Sequence, residues 1–193
     1  MEATVTRYHH GDLRAALVEA SFEVLAECGL QRFSVAAVAR RIGVSTAAPY
    51  RHFPDRAHLL SAVSAAAARD LRTAIEAVVF ETEEPGARMA AVAGAYVRYV
   101  GRTGAGMSVI FAAELYEVAD DARRSETRAL MTTLLDLASA AAGYPAATRL
   151  LEATLAVAHG YVSLFAEGFF ALKDRPLDEI ADRATEAALT LVD

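Results

Sequence analysis

The chain has 193 residues, 54% of them hydrophobic and 23% charged, with 44 alanines against 11 glycines and 5 prolines. That length suits one domain, or one with a small appended module, and the composition excludes a disordered chain and argues for helix over an all-β fold. A formal net charge of -6, from 19 basic and 25 acidic residues, speaks at whole-chain level against a nucleic-acid binder, whose phosphate contacts need Lys and Arg.

The first ten residues, Met1 to His10, lack an apolar core, so no secretory signal is expected, and the single Cys28 cannot form an internal disulfide. The expected compartment is the cytoplasm. The most apolar stretch, Thr154 to Leu172, carries His159 and Glu167 and reads as a buried helix rather than a membrane span.

Asp12 is a helix cap, followed by Leu13, Leu17, Ala20, Val24 and Leu25 at helical spacing until Cys28-Gly29. Ser34 caps a second, short helix over Val35 to Arg41, and Gly43 supplies a tight turn. Ser45 is expected to cap a third helix of about two turns over Thr46 to Phe53, ending at Pro54. A fourth, long helix runs from Asp55 to about Phe80, bounded by the acidic break at Glu81 to Gly86.

Met89, Val92, Tyr96, Tyr99 and Val100 mark a fifth helix, and Gly101 to Gly106 a turn. Val109, Ile110, Phe111 and Leu115 mark a sixth, and Arg123 to Ala142 a seventh, closed by Gly143. The eighth, Ala146 to Leu172, is apolar nearly all round and is expected to be buried on both faces. A ninth places Leu177, Ile180, Ala184, Ala188 and Leu191 on one stripe. The expected fold class is all-α, about nine helices and no sheet.

Two short helices joined by Gly43, the second opening at Ser45, follow the helix-turn-helix plan, which presents the second helix to the DNA major groove. Small Ala39 suits the close crossing of the two backbones, and Val38, Ile42, Val44 and Phe53 seal it. Five arginines between Arg32 and His58, against Asp55 alone, give this segment +4. Residues 1–60 carry seven basic and six acidic groups, so the excess of -7 lies entirely in residues 61–193. A basic head on an acidic body is the distribution expected when one end faces phosphate. The expected division is a DNA-binding domain over 1–60 and a ligand-binding and dimerisation domain over 61–193.

Phe33 to Ser45, followed by Ala48-Pro-Tyr-Arg-His-Phe-Pro-Asp-Arg56 and Leu59-Leu60, resembles the DNA-binding signature of the tetracycline-repressor (TetR) type of bacterial transcription regulators over about 50 residues. Tyr8 to Arg14 resembles one branch, named for a Trp-His-Gly motif; Ala158-His159-Gly160 keeps His-Gly with Ala in place of Trp. The resemblance implies a homodimer that binds a palindromic double-stranded DNA operator, most often as a repressor, and is released by a small-molecule effector. It places Ser34, Ser45, Thr46, Ala47 and Ala48 at the DNA-reading surface, Tyr50, His52 and Arg56 at phosphates, and Arg51 at a guanine edge or a phosphate. Ala47 and Ala48 offer only apolar contact, so shape and arginine contacts carry more of the readout. Pro49 removes one N–H and biases Ala48 away from helical geometry; it reads as a rigid packing element.

Tyr96, Tyr99, Met107, Phe111, Met131 and His159 are candidate ligand-cavity residues, although aromatics and Met at helical spacing also simply fill cores. Leu151, Ala158, Val162, Phe165, Leu177, Ile180, Ala184 and Ala188 are candidate dimer contacts from the last two helices, paired as a four-helix bundle. Cys28 reads as a packed thiol. His9-His10 lacks the carboxylate or Cys partners of a metal site. No cofactor, metal or enzymatic constellation is expected. The alternative is an all-helical small-molecule-binding or interaction protein whose head does not read DNA sequence-specifically.

Overall fold

The computed structural model describes residues 12–80, 82–169 and 175–192. Among these are eight α-helices, two 3-10 turns and no strand: α1 (Leu13–Arg32), α2 (Val35–Arg41), a turn at Pro49–Arg51, α3 (Arg56–Phe80), α4 (Pro85–Thr103), α5 (Met107–Ile110), a turn at Ala113–Leu115, α6 (Asp121–Ala142), α7 (Ala147–Ala166) and α8 (Leu177–Leu189). The all-α class is as expected. No helix among the described residues is long and apolar enough to cross a membrane.

The helix starts follow local chemistry. Asp12 Oδ1 accepts from Ala15 N at 3.0 Å, Ser34 Oγ from Ala37 N at 3.2 Å and Asp120 Oδ1 from Arg123 N at 3.0 Å, each satisfying one of a helix's unpaired first-turn amides. Asp55 Oδ1 takes the His58 amide at the start of α3, and the His58 ring nitrogen Nδ1 lies 2.9 Å from the same oxygen. Glu84 does the same for α4, where Pro85 fills the first helical position.

Three expected elements differ from the structure. Thr46 to Phe53 is not an α-helix: Ala48 N donates to Ser45 O, Arg51 N to Ala48 O and His52 N to Pro49 O, a run of i to i+3 bonds. Pro49 has no N–H to give Ser45 O, so the four-residue ladder cannot form there. Ala48, expected outside helical geometry, is helical at φ -61 and ψ -42. The sixth segment is split into the single turn α5 and the Ala113–Leu115 turn. α7 stops at Ala166, short of Leu172: Gly168 N donates to Phe165 O and Phe169 N to Leu164 O around the left-handed Gly168 (φ +72), a Schellman stop. Residues 170–172 lie outside the described set.

α3 forms the spine. It packs on α1 at one end and on α4 and α6 along its length, and its buried Leu59, Leu60, Val63, Leu71 and Ile75 join one continuous core from Leu17 and Phe53 to Leu134 and Ile180. The expected boundary at residue 60 therefore falls inside an unbroken helix. α8 lies against α4 and α7, its Ile180, Ala181, Ala184 and Ala188 side chains fully enclosed. α6 buries Leu130, Leu134 and Ala138, and the Asp120 carboxylate at its cap accepts from Ser61 Oγ of α3 at 2.8 Å.

Candidate nucleic-acid interface

α1 and α2 meet through Leu17, Val24, Val38 and Ala39, all buried, which fixes the crossing that the small Ala39 permits. Gly43, at φ +71, turns the chain out of α2, with Val44 N donating to Ala39 O at 3.0 Å. The segment from Ser45 to His52 then runs over the sealing side chains Pro49 and Phe53, which are buried beneath it. Ser45, Thr46, Ala47, Tyr50, Arg51 and His52 are exposed, Ala48 and Ser34 half-buried. The first six therefore form one outward surface, while Ser34 is spent as the α2 cap.

The five arginines of the segment divide sharply. Arg41 reaches back to α1 and pairs with both Glu23, at 3.0 Å, and Glu27; these hydrogen bonds hold its pKa above the ordinary value. Arg32 Nε donates to Cys28 O at 3.2 Å, capping the end of α1. Arg56 faces inward: Nε donates to Phe33 O and Nη2 to Leu30 O, each at 3.0 Å, and Nη1 pairs with Glu114. Arg40 and Arg51 remain exposed with no ion pair among the described residues. The net charge of +4 counted along the sequence is thus partly neutralised by Glu23, Glu27 and Glu114. The Arg7 to His10 arm lies outside the described residues.

In the body, the structure brings three of the six ligand candidates together. The Tyr96 hydroxyl, on α4, accepts from Met107 N at 3.1 Å and lies 3.1 Å from His159 Nδ1 on α7. Burial raises the Tyr96 phenol pKa, offset in part by the Met107 amide. Tyr99 points elsewhere; its pKa is raised by burial and then by the Asp70 carboxylate. Met131 is half-buried, Phe111 and His159 exposed. None of the three cavities described below is lined by these residues.

A cleft of about 340 Å³ opens between α1, α3 and the start of α6, lined by Phe22, Ala66, Arg69, Asp120 and Glu126 among others. Another of about 340 Å³ lies beside Arg149 and Leu150, and one of about 310 Å³ beside Arg88 and Asp136. Sequence periodicity did not reveal the first cleft, because it forms where three elements distant in the chain converge. Among the described residues, no group of three or more His, Cys, Asp or Glu is placed to hold a metal ion.

Of the dimer candidates, Leu151, Ala158, Ile180, Ala184 and Ala188 are buried inside the protomer's own core. α8 uses its small-residue stripe to approach α4. Val162, Phe165 and Leu177 stay half-exposed.

An all-helical chain with an N-terminal helix-turn-helix, its reading segment exposed and its remaining helices packed as a body, defines a class of DNA-binding regulators. Residues 17–63 match the sequence model of the bacterial regulatory proteins, tetR family, so this part of the chain is a tetR-type helix-turn-helix head. Its fold is similar, at 30% identity, to that of a protein with unknown function from Rhodococcus sp. RHA1 (TM-score 0.71, 97% of this chain and 98% of that one). A tetR-family regulatory protein from Rhodococcus RHA1 is 23% identical (TM-score 0.62, 93% and 96%). FadR of Bacillus subtilis, a transcriptional regulator solved in complex with stearoyl-CoA, is 13% identical (TM-score 0.56, 93% and 99%). No curated protein matches the chain.

Proposed function

We propose that the protein is a transcriptional repressor that binds a palindromic operator as a homodimer and is released by a small molecule. The observation that carries the reading is the exposed Ser45 to His52 surface with unpaired Arg51 at its centre, backed by a rigid apolar seal. Residues 1–60 act as the head and 61–193 as the body, joined by the continuous α3.

The homodimer is supported by α7. Leu155, Val162 and Phe165 remain half-exposed in one protomer, and an apolar helix face of this kind is stable in water when a second copy covers it. Pairing two copies there sets the two heads about 34 to 36 Å apart, one turn of DNA. An effector bound in the body releases the operator if it favours the arrangement with the heads misplaced, which needs only differential affinity between two states. FadR, which shares the fold and binds stearoyl-CoA, supports a small-molecule-responsive body and leaves the effector's chemistry open.

The combined variant Arg51→Ala, Tyr50→Phe separates this reading from that of a helical binding protein with a silent head. It is expected to lose operator affinity by about 1–3 kcal/mol with an unchanged sedimentation coefficient. Equal DNA affinity of variant and wild type would remove the head from the account.

A further inference from the structure

Arg56 is the first residue of α3, and every nitrogen of its guanidinium is engaged within the chain. Two of its partners, Leu30 O and Phe33 O, lie at the end of α1 and the residue before the α2 cap. Leu30 O also accepts from Phe33 N at 3.3 Å, so the guanidinium is its second donor, beyond the left-handed Gly29 that breaks the backbone of α1. The guanidinium also lies over the Phe33 ring, 5.5 Å from its centroid. The third partner belongs to the body. Glu114 sits on the Ala113–Leu115 turn, 58 residues further along. That turn is firmly mounted: Ala112 and Leu115 are buried, and Leu115 O accepts from Arg123 Nη2, at the start of α6, at 3.0 Å.

A planar guanidinium with a fixed fork of donors can span two carbonyls and a carboxylate at once, which a lysine ammonium on a flexible stem does not do. Three contacts join body to head: the backbone of α3, the close approach of Gly104 at the end of α4 to the Leu25–Ala26 backbone of α1, and a lateral brace from Arg123 through the 113–115 turn and Glu114 to Arg56. The first two hold α3 and α1, and the brace ties the α1–α2 joint to the body.

We infer that Arg56 is a positioning residue for DNA reading, which fixes the head's orientation on the body through Glu114 and does not contact phosphate. This rests on the palindrome-reading dimer proposed above, because orientation matters only when two heads must fit one spacing. Losing the brace then loosens the preference for the correct half-site spacing while leaving the phosphate count unchanged.

The test uses the full chain and palindromic duplexes with the selected spacing or with one base pair inserted between the half-sites, titrated at several salt concentrations. Glu114→Gln, Arg56→Gln and Arg56→Lys are expected each to lower the affinity ratio between correct and altered spacing, by about two- to fivefold for a partly exposed pair. Glu114→Gln added to Arg56→Gln should add nothing further, and the salt slope should stay that of wild type. A salt slope reduced by about one in Arg56→Gln, with Arg56→Lys binding as wild type, would make Arg56 a phosphate contact and overturn the brace. Glu114 is exposed, so Glu114→Gln keeps the test open even if Arg56→Gln fails to fold. Wild type binding without spacing preference overturns the dimer reading and the brace together; wild type selective and Glu114→Gln equally selective overturns the brace alone.

Discussion

Gly43 and Gly104 both hold left-handed backbone, at φ +71 and +65, yet they answer to different constraints. A Cβ on Gly43 meets open space, whereas a Cβ on Gly104 would lie 2.6 Å from Leu25 C and 2.7 Å from Ala26 N, in the backbone of α1. At Gly104 the end of α4 touches the first helix of the head with no room for a side chain. Gly43→Ala should cost about 1–2 kcal/mol, the conformational term alone. Gly104→Ala adds overpacking against immobile backbone and should cost about 2–4 kcal/mol. Denaturant titration of the two variants checks the order, and equal midpoints would refute the close approach. Gly43 was legible as a turn because it follows a short periodic helix. Gly104 was read only as one residue of a turn, since its neighbour Leu25 is far away in sequence. Separation in sequence also hid the partners of Arg41 and Arg56: local pattern shows a run of arginines, and only the fold shows Glu23 and Glu27 pairing with Arg41 on the surface and Glu114 with Arg56.

Between elements, the α3–α6 seam is governed by Asp120, whose carboxylate caps α6 and accepts from Ser61 of α3. Burial alone would raise its pKa; the Arg123 amide and the Ser61 hydroxyl outweigh burial and hold it below 3.8. A folded value below the unfolded one means that the unfolded chain binds more protons between the two. The contribution is therefore present above about pH 4 and is lost as pH falls below 3.8 through the folded value. Asp120→Asn should lower the melting temperature at pH 7 and narrow the gap from wild type below pH 3.8; a gap independent of pH would show that the charge plays no part. Asp12, Ser34 and Gly143 were legible as caps, since each carries its chemistry in sequence, whereas Asp55, Glu84 and Asp120 were not singled out. The reading segment was not, because Pro49 in its first turn exchanges an α-ladder for i to i+3 bonds. Gly168 was overlooked as a stop because apolar residues continue on both sides of it.

For the whole molecule, the nearly all-round apolar character of α7 was visible in sequence, but which side faces inward was not. The fold assigns Leu151, Thr154 and Ala158 to the protomer and leaves Leu155, Val162 and Phe165 partly open. Phe165→Asp should give a monomer by sedimentation, with helix content retained and operator affinity reduced; a persistent dimer would move the interface off α7. The net negative charge that first opposed DNA binding lies in residues 61–193, so on the proposed reading phosphate is met by the head alone. The most direct test of the account is equilibrium binding of the wild-type protein to duplexes from the DNA upstream of its own gene, against scrambled duplexes, across a salt series. The prediction is sequence-selective binding whose log affinity falls linearly with log salt, by about 0.9 for each phosphate neutralised. Binding that does not distinguish the duplexes, or that ignores salt, would contradict it.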